Sequence, residues 1–162
     1  MNYELPGRPD IQTEVFGTVP ESIVKEALET VIEVLNEMNY VGTPPRVLIT
    51  DTAAVLASGE EASAFYRFNG AGHGLIRLGV ERILKMTRGT APDSVKVALW
   101  AAHEAVEHVN HMRGKELLLV TSVISPEIHA KAKSEQEANE IAKAVLRKRY
   151  KVDATFDEEK YY

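Results

Sequence analysis

Asp93-Ser94-Val95-Lys96-Val97-Ala98-Leu99-Trp100-Ala101-Ala102-His103-Glu104-Ala105-Val106-Glu107-His108-Val109-Asn110-His111-Met112 is the stretch on which the reading of this chain rests. At about 100° per residue, Val95, Ala98, Leu99, Ala102, Val106 and Val109 fall on one face of a helix. His103, Glu107 and His111 stack along the adjacent face at i, i+4 and i+8, and Glu104 and His108 lie further round. Thr90-Ala91-Pro92-Asp93 offers a helix start with Thr90 as cap, and Gly114 offers a stop just past Arg113. The stretch predicts a helix with an apolar side turned to a core and a side of histidine and glutamate.

Upstream, Residues 1–19 carry Pro6, Gly7, Pro9 and Gly17 and read as an irregular lead-in. Pro20-Glu21 opens a second helical pattern, in which Ile23, Ala27, Val31, Val34, Leu35 and Met38 recur at helical spacing. Asn39 to Gly42 and the pair Pro44-Pro45 end it. Arg46 to Thr50 reads as a buried strand. Ala64 to Phe68 and Leu75 to Leu78 form a hairpin across a six-residue Gly-rich segment, with a loose tip expected. Downstream, Leu117 to Ile124 is strand or buried helix, Pro126 to Tyr150 is helical with a break near Ser134, and residues 151–162 read as a frayed tail. The 162 residues make one domain.

Composition narrows the chemistry. The chain has no cysteine, so a disulfide scaffold and thiolate metal sites are excluded, and any metal must sit on His, Asp or Glu. The formal net charge is −5, which argues against a nucleic-acid partner, whose phosphates call for a dense basic surface. Met1 to Pro6 has no signal-peptide pattern, and the longest apolar run is too short to span a bilayer. A cytoplasmic protein with no membrane partner is the expectation.

Three of the five histidines lie between His103 and His111, with Glu104 and Glu107 among them. Neutral imidazole and carboxylate together suit Zn²⁺, and a glutamate is a natural base for metal-activated water. The plainer reading is a solvated His/Glu face on a structural helix, since such pairs at i, i+4 are common on helix surfaces.

The segment Ala101 to His108 resembles the active helix of zincin-type metallopeptidases, whose usual motif is His-Glu-x-x-His. Here position i+4 is Glu107 and His108 falls one residue late. The spacing His-Glu-x-x-x-His is similar to that of dipeptidyl peptidase III. His103 and His108 are about 140° apart on a regular helix, so sharing an ion calls for a local bulge. The alternative keeps the helix regular and lets Glu107 or His111 replace the missing ligand. Further on, Glu135-Gln136-Glu137-Ala138-Asn139 is similar to the Glu-x-x-Ala-Asp/Asn segment by which gluzincins, among them the ImmA/IrrE-like peptidases, supply a third ligand.

The resemblance implies an α+β, zincin-like fold, in which a small mixed or antiparallel sheet packs on a metal-binding active helix and a following ligand helix. It implies Zn²⁺ on His103, His108 and Glu135, with Glu107 and His111 as alternates and Glu104 as general base. It also implies an edge strand, Leu75, Ile76, Arg77 and Leu78, that takes an extended peptide substrate by strand addition. The expected activity is zinc-dependent peptide-bond hydrolysis on a peptide or protein. The alternative is a catalytically inactive zincin-fold binding protein, such as a phage or mobile-element accessory factor, docking on a protein partner. Tyr66, Tyr150, Tyr161 and Tyr162 are candidates for oxyanion stabilisation, His73 for a lid residue and His129 for a further ligand.

Overall fold

A computed structural model describes residues 2–3, 8, 10–56, 58–69, 73–88, 91–114, 133–150 and 155–156. Among them the architecture is mixed α+β. The helices are α1 (Glu21–Glu37), α2 (Val80–Lys85), α3 (Asp93–Met112) and α4 (Lys133–Tyr150). The strands are β1 (Asn2–Tyr3), β2 (Thr13–Phe16), β3 (Arg46–Thr50), β4 (Ala54–Val55), β5 (Glu61–Ala62), β6 (Ala64–Asn69), β7 (His73–Gly79), β8 (Thr87–Arg88) and β9 (Thr155–Phe156). No helix among the described residues is long and apolar enough to cross a membrane.

The main sheet has the order β1-β2-β3-β7-β6. The inner pairs β2/β3 and β3/β7 are parallel, and the outer pairs β1/β2 and β6/β7 are antiparallel. The lead-in is therefore not wholly irregular. Thr13 and Val15 are buried while Glu14 and Phe16 face outward, the period-2 alternation of a strand with one face on a core. A strand of four residues is too short for that alternation to stand out beside Pro9 and Gly17.

The hairpin forms, and its ladder closes further than expected, to the pair Asn69 and His73. Its position in the sheet corrects the substrate-strand expectation. Leu75, Ile76, Arg77 and Leu78 pair with β3 on one side and with β6 on the other, so both sets of backbone groups are taken. Among the described residues the edge strands of this sheet are β1 and β6. Hydrophobic pattern shows a strand but not its neighbours; those follow from the β2–α1–β3 crossover.

α1 buries Ile23, Val24, Leu28, Val31, Val34 and Leu35 along one stripe, each side chain contributing about 1.5–3 kcal/mol. α3 starts behind Pro92, with no side-chain cap, and ends where Gly114 takes φ 76°, a conformation that favours glycine. The expected cap Thr90 and the segments 117–124 and 126–132 lie outside the described residues. Lys133 to Tyr150 is helical, and the expected break near Ser134 falls where the described part of this segment begins. Thr155 and Phe156, in the expected frayed tail, pair with β8.

The position of α3 matters most for the site. It touches α1, α2, α4, β6 and β7. Every residue from Val97 to Asn110 is buried, and the His/Glu face is no exception. His103 and His108 are each 1% exposed, and Glu104 and Glu107 each 4%. The solvated-face reading is overturned because α4 and the sheet close over a side that an isolated helix would show to water. Trp100 is fully enclosed too, donating Nε1–H to Thr87 Oγ1 at 2.7 Å and tying α3 to the end of α2.

Candidate metal centre

α3 remains α-helical from Asp93 to Met112, without a bulge. His103 and His108 consequently point to different surroundings, as the 140° between them requires. The structure sorts the polar residues of α3 into two groups.

The first group is His103, Glu104 and Glu107, which offer ligand atoms within 4.8 Å of one another. α4 crosses α3 here and brings Asn139 to the His103 ring, with Asn139 Oδ1 2.7 Å from His103 Nδ1. With the amide oxygen facing the ring, Nδ1–H donates and Nε2 is directed elsewhere. Nε2 lies 3.4 Å from Glu107 Oε1. In a neutral ring that arrangement sets one lone pair against another, so a proton or a cation belongs between them.

Four features fit a divalent cation. Glu104 and Glu107 carry two negative charges when ionised and His103 is then neutral, a set whose charge matches that of a dication. Two ligands about 2.0–2.1 Å from a tetrahedral ion are about 3.3–3.4 Å apart, which is the separation found across the His103–Glu107 pair. A histidine whose second nitrogen is held by a side-chain oxygen is also the usual form of a metal-bound imidazole. The donors are one nitrogen and carboxylate oxygens, a set suited to zinc and its first-row neighbours.

Asn139 depends on how α4 is held against α1. Arg149 reaches Glu26 Oε2 at 3.2 Å and Glu29 Oε2 at 2.5 Å, and the Tyr150 hydroxyl sits 3.2 Å from Thr30 Oγ1. Tyr150 therefore fastens α4 and is not placed as an oxyanion donor. Neighbouring Glu26 is held below the ordinary carboxylate range by Tyr150 and Arg149, which outweigh the opposing effect of burial.

The second group is His108, His111 and Tyr66. The Thr43 carbonyl lies 2.8 Å from His108 Nε2 and can only accept, so Nε2 carries the proton. Nδ1 then accepts the Tyr66 hydroxyl at 3.0 Å. The Tyr66 oxygen has His111 Nδ1 at 3.3 Å, which completes a directed chain from His111 to Thr43. Tyr40 adds its own O–H to the Thr43 carbonyl at 2.7 Å and sets its ring edge-on to His108. Burial, reinforced by nearby His111, keeps His108 below its ordinary value despite the Thr43 bond, so the ring is neutral. Burial raises Tyr66, with Tyr40 and Glu107 adding to the shift.

His108 therefore has both nitrogens engaged away from His103, and the expected His103/His108 pairing is not brought together. The alternate Glu107 is. His111 belongs with Tyr66. The backbone of Glu135 lies in the first turn of α4; its side chain, the side chain of His73, and all of His129, Tyr161 and Tyr162 are outside the described residues.

Three contributors escape a reading of local pattern. Asn139 was visible as the last residue of the segment beginning at Glu135, though not as the partner of His103. Thr43 acts through its backbone carbonyl, which no side-chain motif reveals. Gly74, in the Gly-rich segment, leaves the space the second group occupies: a Cβ there would lie 2.4 Å from His108 Nδ1 and 2.5 Å from the Tyr66 oxygen.

No protein-family model, no curated protein and no solved structure matches this chain.

Proposed function

We propose that the chain is a zincin-like, metal-dependent peptidase domain whose ion, of the zinc class, is held by His103 and Glu107, with Glu104 beside them. The observation that carries this reading is the presentation of His103: Nδ1 fixed by Asn139 and Nε2 facing Glu107 Oε1 at 3.4 Å. A bound zinc-class ion supplies Lewis acidity, lowering the pKa of water and polarising a carbonyl. Asn139 sets the tautomer and the plane of the His103 ring. Glu104, one residue on from His103 and in the same donor group, is the base that takes a proton and returns it to the leaving amine. The buried surroundings strengthen each of these interactions over its value in water. Glu135, in the first turn of α4, stays a proposed further ligand.

A second reading is favoured by a separate observation, the near-complete burial of His103, Glu104 and Glu107 together with the commitment of His108 to Tyr66 and Thr43. Here the ion is a structural staple and the domain binds a protein partner without hydrolysing it.

Metal content by mass spectrometry on untagged protein, after zinc is offered and excess removed, tests the shared premise. Near-stoichiometric metal that is lost in His103→Ala and Glu107→Ala but kept in His108→Ala is expected. An absence of metal from the wild type would defeat both readings and leave His103 and Glu107 as a buried imidazolium–carboxylate pair. Glu104→Gln then separates the two, since hydrolysis of a casein-derived peptide mixture should vanish with metal retained if the domain is a peptidase.

A further inference from the structure

The helices pack on one face of the main sheet, and the register lays out the other face row by row. Arg46 of β3, Leu75 of β7 and Arg67 of β6 stand side by side in one row. Glu14, Leu48, Arg77 and Phe65 form the next, and Phe16, Thr50 and Gly79 the one after. The β4/β5 hairpin covers one corner, where Ala54, Leu56, Ala62 and Phe65 make a small separate apolar cluster. Among the described residues nothing further covers it: Arg46 and Arg67 are exposed, Leu48, Leu75 and Arg77 are half-buried, and Phe16 is 48% exposed.

The charge of this face runs against that of the chain. The protein carries a net −5, yet three guanidinium groups share the face with one carboxylate in its rows, Glu14, and none of the three makes an ion pair among the described residues. Arg77 lies over the Phe65 ring at 5.6 Å and gives one N–H to the Val55 carbonyl at 3.3 Å, while its buried Nε has no hydrogen-bond partner. Arg67 adds repulsion to the burial of Arg77, and both effects disfavour its charge. An anion placed between the two relieves that repulsion, and the guanidinium fork suits carboxylates in particular.

We propose that this face, on the side of the sheet away from α3, binds an extended acidic peptide segment of a partner protein. Its carboxylates pair with Arg46, Arg67 and Arg77, and its alternate apolar side chains rest on Leu48 and Leu75. The apolar floor favours a peptide over nucleic acid. Phe65, the second aromatic in the rows, is buried, so consecutive bases find no stacking platform. The proposal is independent of the metal centre.

The test is fluorescence anisotropy with a labelled peptide of alternating glutamate and leucine, using the full chain. Binding is expected to weaken with salt. Arg46→Glu/Arg67→Glu should weaken it about tenfold or more, a loss of at least ~1.4 kcal/mol, while the circular dichroism melt is unchanged. Arg46→Lys/Arg67→Lys, which keeps charge and loses the fork, should fall between. No binding at millimolar peptide would overturn the proposal, as would equal binding by the charge-reversed variant. Tighter binding of an oligo-dT strand of equal charge would make the face a nucleic-acid surface. A dimer dispersed by the same reversal in sedimentation would make it a contact between copies, and either result ends the peptide assignment.

Discussion

The two ends of the polar face of α3 hold similar residues in opposite arrangements. Around His108, donors and acceptors alternate: His111, Tyr66, His108 and the Thr43 carbonyl form a chain closed by the protein itself. Around His103, one nitrogen is satisfied by Asn139 and the other faces a carboxylate that cannot donate when ionised. Histidine spacing along the helix does not distinguish these ends. The neighbour on the opposite element does, a carbonyl and a phenol in one case and an amide oxygen in the other. A closed chain contributes stability and specificity to the core, whereas a set of converging acceptors calls for a cation.

The difference can be broken at either end. The largest effect is expected from His103→Ala, which should abolish the proposed metal retention as measured by mass spectrometry. Asn139→Ala should follow, lowering zinc affinity about 10–100-fold in a competitive chelator titration while leaving the Tyr66–His108 bond in place. At the other end, Gly74→Ala should cost about 1–3 kcal/mol in urea unfolding, because its Cβ displaces both His108 and Tyr66, with metal content unchanged. Tyr66→Phe should cost about 1 kcal/mol in the same experiment, since it removes the donor to His108 and the acceptor for His111.

The smallest effect sharpens the comparison through pH. Folded His108 titrates below its ordinary value of 6.5, so the unfolded chain binds that proton first. Its contribution is fully present above that value and is lost as pH falls below it. Melting temperature should therefore drop between about pH 7 and 5, with a shallower slope in His108→Gln. An identical slope in the variant would mean that the acid sensitivity arises elsewhere.

Much of the secondary structure was legible because it is written locally. The stripe from Ile23 to Leu35 gave α1, the run Arg46 to Thr50 gave β3, and Pro92 and Gly114 bracket α3 closely. The features that were missed depend on distant parts of the chain. β2 is recognisable chiefly through its parallel partner β3, more than 30 residues away. The interior place of Leu75 to Leu78 needs β3 on one side and β6 on the other. For the site, the residue types were legible and their grouping was not. Glu107 displaces His108 as the neighbour of His103 because the helix stays regular, and Asn139 comes from a helix whose packing no local spacing encodes.

α3 runs through the interior with helices and strands on all sides. Such an element has no local way of opening, and its amides from Val97 to Asn110 should exchange with heavy water only when the surrounding elements part. The ionisable stripe should thus lie among the slow-exchanging amides of the described residues. On the proposed reading, an ion held there would be taken up while the chain folds and carried for as long as the fold lasts.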